Sequence, residues 1–170
     1  GGDVVICTGT NTVKRYYATG YSAPAAQDDS TISGASCSYT GSVGTMTFTR
    51  DLAVTNAAKQ VAIPSTGKGV KMIFGYHSSN TALVQHSTRG KKTLDLCTGC
   101  ATPPTTSHTL SDKLSFTSTI VGGGATAATF TVTYKGTGWF GLGMGGGSAG
   151  GMVGGDVVIC TGTNTVKRYY

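Results

Sequence analysis

Apolar and polar residues alternate along most of this chain with a period of two. In "ATFTVTY" (128–134), Phe130, Val132 and Tyr134 fall on one side and the threonines on the other. That is the arrangement of a strand with one face on a core. Alternation or a β-branched run recurs in "TVKRYYATGY" (12–21), "GTMTFTR" (44–50), "VKMIFGYH" (70–77), "KTLDL" (92–96), "LSFTSTI" (114–120), "GWFGLGM" (138–144) and "DVVICT" (156–161). Helical spacing is almost absent; "RDLAVTNAAKQ" (50–60) is the one stretch that accommodates a short helix. Many short strands separated by Gly, Pro, Ser and Asn predict an all-β fold, an antiparallel immunoglobulin-like β-sandwich.

One segment occurs twice. "GGDVVICTGTNTVKRYY" (1–17) returns unchanged at 154–170, an offset of 153 residues. A period of that length can bury a real core. Three readings account for the duplication: one period plus an overlap from a tandem array, a circular permutant with a duplicated end, or a strand offered to a neighbouring molecule. The array is favoured, because the second copy stops inside a strand-like pattern. "CTGCATPPTTSHTLSD" (97–112), with two adjacent prolines and a polar run, is the best linker. The expected division is therefore 1–102 as the closing part of one domain, 97–112 as linker, and 109–170 as the opening part of the next.

Composition narrows the setting. The chain has no glutamate, only 12% charged residues and a net charge of +6. Removing Lys167, Arg168 and Asp156, which belong to the second copy, leaves 11 basic and 6 acidic residues per period. The basic residues are scattered, with Lys91–Lys92 the only lysine pair, so no nucleic-acid footprint forms. No apolar run is long enough to span a bilayer, and no signal peptide is present. Five cysteines become four per period once Cys160 is recognised as the copy of Cys7. An even count of Cys7, Cys37, Cys97 and Cys100 fits an oxidising, extracellular or cell-surface setting. Four cysteines allow three pairings. Cys7–Cys37 with Cys97–Cys100 is the pairing taken forward, and a bridge between successive periods is its rival.

Most catalytic patterns fail on context. "GLGMGG" (141–146) fits G-x-G-x-x-G, but no helix follows to receive a pyrophosphate. "GGSAG" (146–150) lacks the strand-turn-helix of a nucleophile elbow. "CTGC" (97–100) is followed by alanine, so covalent c-type haem attachment is excluded. Asp28–Asp29 sits in a polar loop, and no carboxylate pair is placed for acid–base work. The expectation is a non-enzymatic protein. A methionine and a histidine can together ligate haem iron and raise its potential. His77, His86 and His108, with Met46, Met72, Met144 and Met152, supply the candidates.

Taken in the order 109–170 and then 18–96, the chain resembles a DOMON domain of the b-type cytochrome kind. It is similar to the cytochrome domain of cellobiose dehydrogenase and to plant secreted b cytochromes. The resemblance rests on "GTGWFGLGM" (136–144), "GGMVGGDVVIC" (150–160), "VKRYYATGYSAPAAQDD" (13–29), "MTFTRDL" (46–52) and "GVKMIFGYHSSNTALVQHSTRGKKTLDL" (69–96). It implies haem b held without covalent attachment, with Met152 and His86 as axial ligands. It places Arg89 near a haem propionate and makes Trp139, Phe140 and Tyr76 pocket walls, with Met144 as the reserve ligand.

The function expected is extracellular electron transfer, with neighbouring copies of the same domain as partners in a multi-haem array or filament. The alternative is a haem-free structural or adhesive surface fibre, or a carbohydrate-binding module using Tyr16, Tyr17 and Tyr39 to stack on sugar rings.

Overall fold

The computed structural model describes residues 2–7, 13–18, 25–26, 32–57, 60–82, 85–97, 105–120, 124–145, 160–161 and 165–166. The first six strands are β1 (Gly2–Cys7), β2 (Val13–Ala18), β3 (Ala25–Ala26), β4 (Ile32–Thr40), β5 (Val43–Asp51) and β6 (Val70–Tyr76). They are followed by β7 (Thr88–Leu94), β8 (Thr106–Thr109), β9 (Leu114–Ile120), β10 (Ala127–Lys135) and β11 (Phe140–Gly145). A separate two-stranded ribbon joins β12 (Cys160–Thr161) to β13 (Thr165–Val166). One sheet has six strands in the order β3-β2-β1-β11-β6-β7, the other five in the order β4-β5-β10-β9-β8. Every pairing among the described strands is antiparallel. The expected all-β sandwich is what forms, and no described residue is helical.

The alternation accounts for the core. Met46 and Phe48 of β5, Leu114, Phe116 and Ile120 of β9, and Phe130, Val132 and Tyr134 of β10 meet Val5, Met72, Phe74, Tyr76, Phe140 and Leu142 from the opposite sheet. Each such aliphatic or Phe side chain contributes about 1.5–3 kcal/mol by leaving water. Aromatic rings continue the packing, with Phe48 stacked on Phe130 at 5.2 Å and Tyr76 against Tyr134 at 5.0 Å between centroids. Threonines occupy the other face of β5 and β10, where Thr49 and Thr129 hydroxyls lie 2.8 Å apart.

Cys7 of β1 and Cys37 of β4 form a disulfide that ties the two sheets together across 30 residues of sequence. Closing a loop of that length contributes about 3–4 kcal/mol by restricting the unfolded chain. Cys97 is disulfide-bonded as well, while Cys100 lies outside the described residues.

Three local features depart from the sequence pattern. β4 is an edge strand in which only Cys37 is buried, so "ISGASCSYT" shows no apolar alternation to read. Residues 106–109, at the end of the stretch expected to be an open linker, are a paired strand against β9. The Lys92 ammonium reaches from β7 to the Thr109 carbonyl at 2.8 Å. The described part of 50–60 continues β5 to Asp51 and then turns instead of forming a helix. There the Gln60 side-chain carbonyl accepts from the backbone of Thr55 and Asn56, at 3.1 and 3.2 Å. Within this chain β10 lies between β5 and β9, and β11 between β1 and β6, so 127–145 shares both sheets with strands from the first half.

Candidate functional site

Each strand of the six-stranded sheet presents two faces. Val5 and Cys7 of β1, Met72, Phe74 and Tyr76 of β6, and Phe140, Leu142 and Met144 of β11 face the other sheet. The alternate residues point away from it. Val4, Ile6, Ile73 and Trp139 form a second apolar cluster there, with Tyr16 packed against it. Trp139 is only 1% exposed.

The sequence-selected residues divide between these faces. His86 belongs to the outer one. It is half-buried in the turn before β7. A methyl group added to Gly75 would lie 3.7 Å from both the His86 Cβ and the Trp139 ring. The His86 Cβ and the Trp139 indole thus both approach a bare glycine. Gly75 pairs directly with Arg89, which places Arg89 on that same face, exposed at its rim. Ile73 pairs likewise with Lys91. Tyr76 and Phe140 face inward and pack on Tyr134 at 5.0 and 5.3 Å. They are therefore core residues on the opposite side of the sheet from His86. Met144 also faces inward, as do Met46 and Met72. Met152 lies outside the described residues.

The outer site is held from beneath by two tyrosines. The Tyr134 hydroxyl donates to the His77 carbonyl at 2.7 Å, and the Tyr39 hydroxyl donates to the Gly138 carbonyl at 2.6 Å. Between them, the Trp139 amide donates to Asn80 and the His77 amide donates to Trp139, both at 2.9 Å. Asn80 N–H donates to His77 Nδ1 at 2.9 Å, closing the turn. On the other side, Ser87 N–H donates to the Tyr76 carbonyl at 2.9 Å, which anchors the segment carrying His86. Burial, with Tyr134 beside it, pushes the Tyr39 phenol up to about 12.

A phenol that loses its proton later in the folded protein than in the unfolded chain favours folding below the unfolded value, near 10. That contribution disappears as pH rises through the folded value. The melting temperature of the parent should therefore fall more steeply between pH 10 and 12 than that of Tyr39→Phe. Thermal scans across that range compare the two, and equal slopes would exclude Tyr39 as the cause.

A second polar centre, which the sequence pattern did not single out, lies between the sheets. Asp3 of β1 accepts from Arg15 Nε at 2.7 Å and also pairs with Arg15 Nη2. It also accepts from Arg50 Nη1 at 2.9 Å and from the Val61 backbone N–H at 3.3 Å. Arg50 donates further to the Val61 carbonyl at 2.6 Å, and its Nη1 lies 2.8 Å from the Met144 sulfur. All three ionic side chains are at most 2% exposed. Burial holds the Arg50 guanidinium below its usual value; Asp3 pulls it back up, and Arg15 adds to the lowering. The signal was present in the alternation: Arg50 shares the phase of Met46 and Phe48, and Asp3 that of Val5 and Cys7. A charge in an apolar phase marks a buried ionic contact.

Tyr16, Tyr17 and Tyr39 do not form one stacking platform. Tyr16 packs on the outer cluster, Tyr17 pairs opposite the inward-facing Asp3, and Tyr39 belongs to the other sheet, edge-on to Phe140 at 6.0 Å. Among the described residues, no three His, Cys, Asp or Glu side chains gather as a metal site; a histidine–methionine pair is a different donor set. No described helix is long and apolar enough to cross a membrane. No protein-family model, curated protein or solved structure matches the chain.

Proposed function

We propose that this domain is an extracellular b-type cytochrome module, one period of a multi-haem array, and that its haem site is built on the outer face of the six-stranded sheet. The observation that carries the reading is the convergence of His86 and Trp139 over Gly75, with Arg89 paired beside them. The donor chemistry fits: an imidazole for iron, an indole and Ile73 as apolar wall, and a guanidinium for a propionate. Met152, which lies outside the described residues, would be the second side chain to hold the iron. Bound there, haem would supply one-electron exchange at an iron whose potential a thioether ligand raises.

The chain's own residues would do the rest. His86 presents its imidazole from a segment anchored by the Ser87–Tyr76 backbone bond. Trp139 and Ile73 exclude water. Arg89 stays at the solvent rim, where its charge faces outward. Tyr76 and Phe140 act indirectly, by packing β6 and β11 onto the second sheet. A disulfide between the sheets suits the oxidising setting such a module would occupy.

The test is a visible spectrum of protein supplied with haem, oxidised and then reduced with dithionite. A sharp reduced α-band separated from the β-band is expected. His86→Ala should abolish the low-spin spectrum while the far-ultraviolet circular dichroism of the fold is retained. Met152→Ala should leave a high-spin, five-coordinate form. A featureless parent spectrum would overturn the proposal and favour a haem-free surface fibre.

A further inference from the structure

Each sheet of the sandwich ends in two edge strands, and an edge presents backbone donors and acceptors that another strand can take. The four edges among the described strands are β3 and β7 in one sheet and β4 and β8 in the other. Three of them are blunted. β3 is two residues long. β7 carries Arg89, Lys91 and Lys92, charges of the kind that resist strand addition. β8 has four residues, and Lys92 donates to its Thr109 carbonyl. β4 has neither device. It runs for nine residues, "ISGASCSYT", with no charge and no proline.

A bulge between Ser33 and Ser36, with Gly34 at φ 59°, bends the first half of β4. The second half is regular, from Ser36↔Thr47 to Thr40↔Val43. Cys37 points inward and is bonded to Cys7, whereas Ser36, Ser38 and Thr40 are exposed. Their hydroxyls extend a surface already built from the same groups. Ser36 and Ser38 lie beside Thr47 and Thr45, which lie beside Thr131 and Thr133 of β10. Strands on this face meet hydroxyl to hydroxyl, at 2.8 Å for Thr49 and Thr129 and 3.4 Å for Thr47 and Thr131. Val43, the one large apolar side chain exposed among the described residues, stands beside Thr40 at the end of the strand.

These features select the occupant. A charged strand would find no counter-charge on β4, and a basic one would also meet a chain of net charge +6. Residues 36–40 of a second copy are neutral and bring hydroxyls at matching places. Antiparallel pairing about a two-fold axis at Ser38 sets Ser36 opposite Thr40 and Ser38 opposite its own counterpart. Cross-strand Ser and Thr pairs of this kind stabilise a sheet. The same patch serves both copies, so the contact closes on itself. The blunted edges leave no place for a third copy to add.

We propose that β4 is a self-association edge: two copies of the chain pair antiparallel through residues 36–40, joining their five-stranded sheets into one of ten strands. Few residues meet, so the dimer is reversible.

The test is sedimentation velocity of the whole chain over a concentration series. The sedimentation coefficient should rise with concentration and level off at the dimer. Ser38→Lys sets two like charges face to face on the axis and should weaken the dimer about tenfold or more. Its circular dichroism and urea midpoint should match the parent, because Ser38 is exposed. Ser38→Asp should behave in the same way. An equimolar mixture of the two variants should regain the dimer, since lysine then faces aspartate. Ser107→Lys, exposed on β8 of the same sheet, should dimerise as the parent does. A parent that stays monomeric throughout would overturn the proposal. So would a dimer that Ser38→Lys leaves intact, a mixture of the folded variants that stays monomeric, or growth past the dimer. None of these readouts involves haem, so they are decided separately from the cytochrome reading.

Discussion

Arg50→Ala should lower the stability of the fold by about 3–5 kcal/mol, the usual cost of emptying a large buried site and stripping a buried acceptor of its donor. Arg50 joins three parts of the molecule at once. It pairs with Asp3 across the sheets, donates to the Val61 carbonyl, and lies against the Met144 sulfur at the end of β11. Alanine leaves a cavity the size of a guanidinium and its stem, and an acceptor at Val61 without its donor. Arg50→Met should recover more than half of the loss. It fills the volume beside Met144 and leaves Asp3 with the bidentate Arg15 pair, one negative charge against one positive. The contrast isolates packing from charge. Urea denaturation of the three proteins measures it, and a loss below about 1 kcal/mol for Arg50→Ala would show that the ionic centre adds little net stability.

Gly138→Ala should be at least as disruptive at the outer site, with a loss of about 3 kcal/mol or more. The added methyl group would overlap the His77 carbonyl oxygen, and would lie 2.7 Å from the His77 carbonyl carbon and 2.9 Å from the Ser79 nitrogen. These are backbone atoms, fixed by the Tyr134 hydroxyl on His77 and by the reciprocal His77–Trp139–Asn80 bonds. No side-chain rotation relieves the overlap, so the turn or β11 must move, and Trp139 with it. The chain has a single tryptophan, so its fluorescence reports the displacement directly. A red-shifted emission together with a lower urea midpoint is the expected pair. Unchanged emission with an unchanged midpoint would mean that the His77–Asn80 turn yields freely.

Much of the architecture was legible from side-chain alternation. "LSFTSTI", "ATFTVTY" and "GTMTFTR" became β9, β10 and β5, and their apolar phase became the core. β4 escaped notice because an edge strand exposes both faces over most of its length, and small polar residues satisfy it. β8 escaped because its pairing with β9 is decided by the partner strand, not by "TSHT" itself. The site was legible only in part. Period two says which residues share a face, but not which face meets the second sheet. Tyr76 and Phe140 stand one residue from Gly75 and Trp139, yet that single step puts them on opposite sides of the sheet.

The sequence by itself determined the class of fold, which residues of the alternating strands share a face, and the pool of cysteines, histidines and methionines from which any site must be drawn. These are local properties, set by backbone pleating and side-chain polarity. Only the tertiary structure decided the non-local matters: that Cys37 lies across from Cys7, that Asp3 neutralises arginines 12 and 47 residues away in sequence, and that His86 comes to rest beside Trp139 over Gly75. Such meetings depend on strand order and register. Those arise from the summed packing of all the strands, and no one segment encodes them.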